Sequence, residues 1–171
     1  DKPNTINSSG SVAIGSENIT GDAGKRSIAV GVGNNITGSA SVGIGYGSSA
    51  ISDNSISAGV ENQVLAANSS ALGYKNEASG ESSIALGSSN SSLGDYSISL
   101  GTGNQAISDN TIAIGKDNRV NADYSAVIGY QAAEAVLGQI PTSVNGLLIG
   151  VAVQAIEYDG TTAKDAFAAL N

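Results

Sequence analysis

A glycine closes a near-identical pentapeptide again and again along this chain, at almost constant intervals. The pentapeptides include SVAIG at 11–15, SIAVG at 27–31, SVGIG at 41–45, SISAG at 55–59 and SIALG at 83–87. The closing glycines are Gly15, Gly31, Gly45, Gly59, Gly73, Gly87, Gly101, Gly115 and Gly129. From Gly31 to Gly129 is 98 residues, or seven steps of 14. The first step is 16, because GDAGKR at 21–26 stands where the next unit has GSA at 38–40, an insertion in a turn. A fixed period of this kind means stacked units, each buried against its neighbours, rather than one globular core.

With the opening serine as position 1, the residue classes repeat by column. Position 3 is small in all units but one: Ala13, Ala29, Gly43, Ser57, Ala71, Ala85, Ser99 and Ala113, then Val127. Position 8 is mostly asparagine: Asn18, Asn34, Asn62, Asn76, Asn90, Asn104 and Asn118. Asparagine suits a turn, since its side chain bonds the local backbone and it tolerates positive φ. Each unit therefore reads as strand (positions 1–5), turn, strand (about 9–12), turn. Fourteen residues are too few for two helices but enough for one coil of a narrow β-solenoid. Coils stacked about 4.8 Å apart would give a rod roughly 43 Å long. The chain is expected to be all-β, a parallel β-roll of about nine coils over 11–135. Residues 1–10 form a lead-in and 136–171 a small mixed cap.

The two strands differ. The second alternates a mainly apolar column at position 10 (Ile36, Ala50, Val64, Ala78, Ser92, Ala106, Val120) with a wet one at position 9 (Asn35, Ser49, Gln63, Glu77, Ser91, Gln105, Arg119). The first has no wet face. Its position 2 carries Val12, Ile28, Val42, Ile56, Ser70, Ile84, Ile98, Ile112 and Ala126, and its position 4 carries Ile14, Val30, Ile44, Ala58, Leu72, Leu86, Leu100, Ile114 and Ile128. A strand apolar on both sides is normally covered on both sides, and so thin a roll has nothing of its own for the second. Such a stripe marks an interface, worth roughly 25 cal/mol per Å² buried. The roll is expected to be an obligate oligomer.

Composition narrows the partners. The chain has 23 Gly, 2 Pro, six Tyr, one Phe, no Cys, Met or Trp, and no His. Without large aromatics a core must be thin and regular. A net charge of −8 argues against nucleic acid and against anionic membrane surfaces. No apolar run of about 18 residues exists to span a membrane, so no direct insertion is expected. The start, DKPNTINSSG, has no basic segment followed by an apolar one, so no signal peptide is expected within it. The lack of His and Cys, and of a G-x-S-x-G elbow, speaks against an enzyme. No cofactor is expected.

The motifs SSGSVAIG, DNSISAG, ESSIALG, DYSISLG and DNTIAIG, with their 14-residue period, closely resemble the head repeat of trimeric autotransporter adhesins, the YadA-like head. The resemblance covers about residues 8–135. It implies a left-handed parallel β-roll and a homotrimer displayed on the bacterial outer surface, beyond the cell outer membrane. It also implies virulence-related cell adhesion to a host matrix protein or cell-surface glycan, without catalysis. Positions 2 and 4 would face the threefold axis and position 3 the inside of each roll. That family's head is usually followed by a D-A-V-N-V-x-Q-L-type neck, which is lacking here. The same repeats could be carried by a phage tail fibre, the alternative reading.

After Gly129 the repeat decays through YQAAEAVLG. NG at 145–146 before LLIGVAVQAIEY suggests a turn and one or two strands. TAKD at 162–165 fits a helix start, followed by Ala163, Ala166, Phe167 and Leu170 at helical spacing. Two further columns are candidates for binding. Position 13 carries Asp53, Glu81, Asp95, Asp109 and Asp123, which reads as solvated turn residues in preference to a cation site. Tyr46, Tyr74 and Tyr130 share position 6, while Tyr96 and Tyr124 share position 14; packing against a neighbouring turn or chain is the leading reading over recognition. Glycosylation-type triplets start at Asn7, Asn18, Asn35 and Asn68.

Overall fold

The computed structural model describes residues 2–7, 9–21, 26–132 and the backbone of 146–149. Among them there are strands and turns but no helix. Five-residue strands recur once per coil, from Val12–Ser16 to Ala126–Tyr130, and two-residue strands alternate with them, from Thr5–Ile6 to Arg119–Val120. The long strands stack in parallel into a broad sheet and the short ones into a narrow sheet. Register follows the repeat: Ile84 pairs with Ile98, Ala85 with Ser99 and Gly87 with Gly101. The expected β-solenoid is therefore the observed fold, with about one coil per 14 residues.

Two boundaries differ from expectation. The long strand occupies positions 2–6 instead of 1–5, and the short strand only 9–10 instead of 9–12. The cause is local backbone. Among the described residues positions 7 and 14 are left-handed throughout, for example Glu61 (φ 53), Lys75 (φ 52), Asn68 (φ 59) and Ser82 (φ 55). A strand cannot pass through such a residue. The roll also begins earlier than SVAIG: Thr5–Ile6 pairs with Ile19–Thr20, and the Glu17 amide donates to the Lys2 carbonyl as Gly33 does to Ser16. At the other end, Gly146–Ile149 pairs antiparallel with Ala126–Gly129. The helix expected near 162–170 lies outside the described residues.

Between the sheets lies a single file of side chains from positions 3 and 10. Ala29, Ile36, Ala50, Val64, Ala71, Ala78, Ala85, Ala106, Ala113, Val120 and Val127 are all fully buried. Position 3 thus faces inward, as expected. Volumes are matched pairwise. Ile36 is the bulkiest inward residue of the narrow sheet, and the coil above it offers Gly43; a Cβ there would lie 2.0 Å from the Ile36 Cδ1. The file is interrupted by Thr20, Ser57, Ser92 and Ser99; the three serine hydroxyls donate to the Asn62, Ile84 and Ser91 carbonyls, while the Thr20 hydroxyl is buried without a partner.

The recurrent glycine at position 5 has a steric cause. Its φ is near +120 in most coils, and a Cβ would strike the next coil's carbonyl: at Gly73 it would stand 2.0 Å from the Gly87 oxygen. Gly73→Ala is expected to cost at least about 3 kcal/mol in denaturant unfolding. Gly33→Ala is the control: nothing lies within 4 Å of its Cβ, and the left-handed backbone alone costs about 1 kcal/mol. Core matching gives a second expectation. Ile36→Val alone should destabilise by about 1 kcal/mol, but in a Gly43→Ala background it should stabilise, because it removes the clashing methyl. A double-mutant cycle in urea reads this reversal of sign.

Candidate functional site: the outer face of the broad sheet

With position 3 turned inward, positions 2 and 4 must face out. In the single chain Val12, Ile14, Ile28, Ile44, Ile56, Ile84, Leu86 and Leu100 are exposed, while Val30, Val42, Leu72, Ile98, Ile112, Ile114 and Ile128 are half-buried. None of these aliphatics is covered, and adjacent coils bring them into one continuous apolar strip. No charged side chain stands at either position from Val12 to Ile128.

A buried amide ladder runs along one border of the strip. Asparagines at position 8 are at most 1% exposed. Asn76 shows the unit: its backbone N–H and its Nδ2 both donate to Asn62 Oδ1, at 2.9 and 3.1 Å. Nδ2 also reaches the Leu72 carbonyl in its own coil and the Gly87 carbonyl in the next, each at 2.8 Å. Asn76 Oδ1 in turn accepts from Asn90. The expected local bond exists, but position 8 is not the positive-φ residue. Position 7 takes that role, which frees the asparagine to point inward and bond between coils. The ladder is interrupted at Ser48, whose hydroxyl only reaches the Gly59 carbonyl at 3.4 Å.

The acidic column also acts between coils. Asp53 Oδ1 accepts the Ser39 amide, Asp95 Oδ1 that of Glu81, Asp109 Oδ1 that of Asp95, and Asp123 Oδ1 that of Asp109. These carboxylates close a turn edge. Among the described residues no group of three or more His, Cys, Asp or Glu is placed to hold a metal ion.

All five tyrosines named above are exposed, from 42% at Tyr130 to 78% at Tyr124. They border the apolar strip, position 6 on one side and position 14 on the other. Lys75 lies 5.2 Å from the Tyr74 ring centre and Lys116 lies 5.5 Å from that of Tyr130. Tyr74 first, and Glu61 second, raise the Lys75 pKa above its ordinary value. Gly47, Glu61, Gln63, Lys75, Asn76 and Glu77 line a shallow polar cleft beside this border. One apolar feature is additional: Ile51, Leu65 and Leu93, at position 11, are exposed beside the wet column of the narrow sheet. Their signal in the sequence is interrupted by Thr37, Ser79 and Asn121. Of the glycosylation-type triplets, the one at Asn18 begins on a fully buried residue.

A family model described as the YadA head domain repeat, two copies to a match, fits residues 50–76, 65–90, 78–104, 92–118 and 106–132. Residues 50–132 carry YadA head domain repeats. The matches tile the roll from 50 to 132, and the earlier coils continue the same columns and strand register. Compared with curated proteins, the chain has no match. A YadA head is the head of a trimeric autotransporter adhesin, a structural and adhesive module rather than a typical enzyme fold. In this head the amide ladder decides how well the coils hold register. Asn76→Ala should cost about 2–4 kcal/mol, since it orphans buried carbonyls and an amide. Asn76→Ser should cost less, because Ser48 already fills this position in one coil. Chemical denaturation of the two variants checks the ranking.

Proposed function

We propose that this roll is the head of a homotrimeric adhesin on a bacterial cell surface, with the broad-sheet faces of three chains turned to a common axis. The observation that carries it is the strip of positions 2 and 4. It is continuous, uncharged and open in the single chain. The opposite face of the same sheet is already buried, so the strip is not a misplaced core. Its cover must be apolar and must extend along the whole roll, and two further copies of the same chain meet both conditions. The residues at that interface are Val12, Ile14, Ile28, Val30, Val42, Ile44, Ile56, Leu72, Ile84, Leu86, Ile98, Leu100, Ile112, Ile114 and Ile128. Burying such a strip at roughly 25 cal/mol per Å² makes assembly and folding one event.

The outward-facing turns and the narrow sheet then carry attachment to a host matrix protein or a cell-surface glycan. The YadA head family supports this reading, as do the chain's acidic charge and the lack of His and Cys for catalysis. Sedimentation should give a trimer at micromolar concentration; a folded monomer there would overturn the proposal. Leu86→Asp with Leu100→Asp, in the middle of the strip, should abolish the trimer, whereas Ser91→Asp on the narrow sheet should leave it intact. Adhesion is read separately, by binding of the trimer to immobilised matrix proteins and glycans, with loss of all binding counting against that part.

A further inference from the structure

Between Asn18 and Asn118 the amide ladder is broken once, at Ser48, and the break exposes an unmet hydrogen bond. A position-8 amide normally donates to the asparagine one coil earlier. Ser48 N–H reaches Asn34 Oδ1 at 3.0 Å, and Asn76 N–H reaches Asn62 Oδ1 at 2.9 Å. Asn62 follows Ser48, and its N–H has no acceptor among the described residues although Asn62 is fully buried. Its side chain bonds as in other coils, with Nδ2 at 2.9 Å from the Ala58 carbonyl and 2.8 Å from that of Gly73. Buried backbone amides are almost always paired.

Two carbonyls belong to the same gap. One coil earlier, Asn34 Nδ2 donates to the Val30 and Gly45 carbonyls, at 3.1 and 3.0 Å. Their equivalents at Ser48 are Ile44 and Gly59. Ser48 Oγ approaches only Gly59, at 3.4 Å. The coils do not close over the missing carboxamide: the Ser49 amide lies 2.8 Å from the Asn62 carbonyl, as Gln63 does from Asn76 and Ser91 from Asn104. Serine is shorter than asparagine by the bulk of that group, which leaves room for about one water. We propose that a single buried water completes the ladder at Ser48, accepting the Asn62 N–H and donating to the Ile44 and Gly59 carbonyls. The mixture of groups selects it. Two carbonyl oxygens repel an anion, and an N–H dipole aimed into the gap repels a cation. A small neutral molecule that both donates and accepts satisfies all of them, and about three partners is the usual number for a buried water. Just outside, Gly47 presents no side chain and, with Glu61, Gln63 and Lys75, lines the polar cleft through which water can enter.

Two substitutions separate a bound water from a dry gap. Ser48→Asn replaces the water's bonds with those of a carboxamide and should slow unfolding in urea by roughly 5-fold. Ser48→Val fills the same space but pairs nothing, so it expels the water and strands the Asn62 N–H. It should speed unfolding by about 5-fold or more. In a dry gap valine would instead gain buried methyl groups and unfold no faster than the unmodified protein, which overturns the proposal. Unchanged or faster unfolding of Ser48→Asn also overturns it, since the space would then not be there. A high-resolution crystal structure of the unmodified protein gives the direct readout, and keeps the test open if Ser48→Val does not fold. It should show a water within about 3 Å of Asn62 N, Ile44 O and Gly59 O. A site without that water, or an Asn62 amide bonded to another protein group, overturns the proposal.

Discussion

Each coil of this protein rests a glycine against the carbonyl of the coil above it. That contact leaves no room for a Cβ: at every such glycine from Gly15 to Gly115 the added atom would approach the next carbonyl oxygen to about 2 Å. Backbone is stacked directly on backbone at the spacing of a parallel sheet. The period of the chain and the alignment of its columns follow from that contact. Across the longer first step of the repeat, Gly15 still pairs with Gly31.

Close stacking is bought with a thin core. The apolar part of the core comes from positions 3 and 10, which are mostly Ala, Val and Ser. Polar ladders do the remaining work of holding register. The asparagines at position 8 run hydrogen bonds between neighbouring coils, and the carboxylates at position 13 take up amides along the opposite turn. Directional bonds of this kind fix which coil residue sits over which, something a file of alanines cannot do. The aliphatic mass of the chain is left outside, on positions 2 and 4. Folding of the roll and covering of that strip are therefore coupled in the proposed assembly.

Much of this was legible in the residues. Recurrence of Gly15 through Gly129 gave the coil, and aliphatics at 2 and 4 beside small residues at 3 gave a strand apolar on both sides, whose inward face only the family resemblance indicated. Other features were not. The short strand ends at position 10 because position 14 and its preceding turn leave extended geometry, and residue type at position 14 is too varied to announce a left-handed backbone: Ala40, Asn54, Ser82 and Tyr96 all adopt it. Asn76 reads as a turn residue because asparagine commonly is one; only the neighbouring coil supplies the carbonyls and the Oδ1 that bury it. Asp95 reads as solvated because its partner, the Glu81 amide, is a full coil away in sequence.

By itself, the sequence determined the period, the parallel stacking and the two-sided apolar character of the long strand, since each depends on residue class at a fixed spacing. The tertiary structure decided what the columns do. A hydrogen bond between residues 14 apart needs the coils at their final height and rotation, so the destination of an asparagine or carboxylate is settled only when the next coil is in place. The same holds for exposure: positions 2, 3 and 4 are all mainly non-polar, and it is closure of the roll around position 3 that turns the other two to the outside.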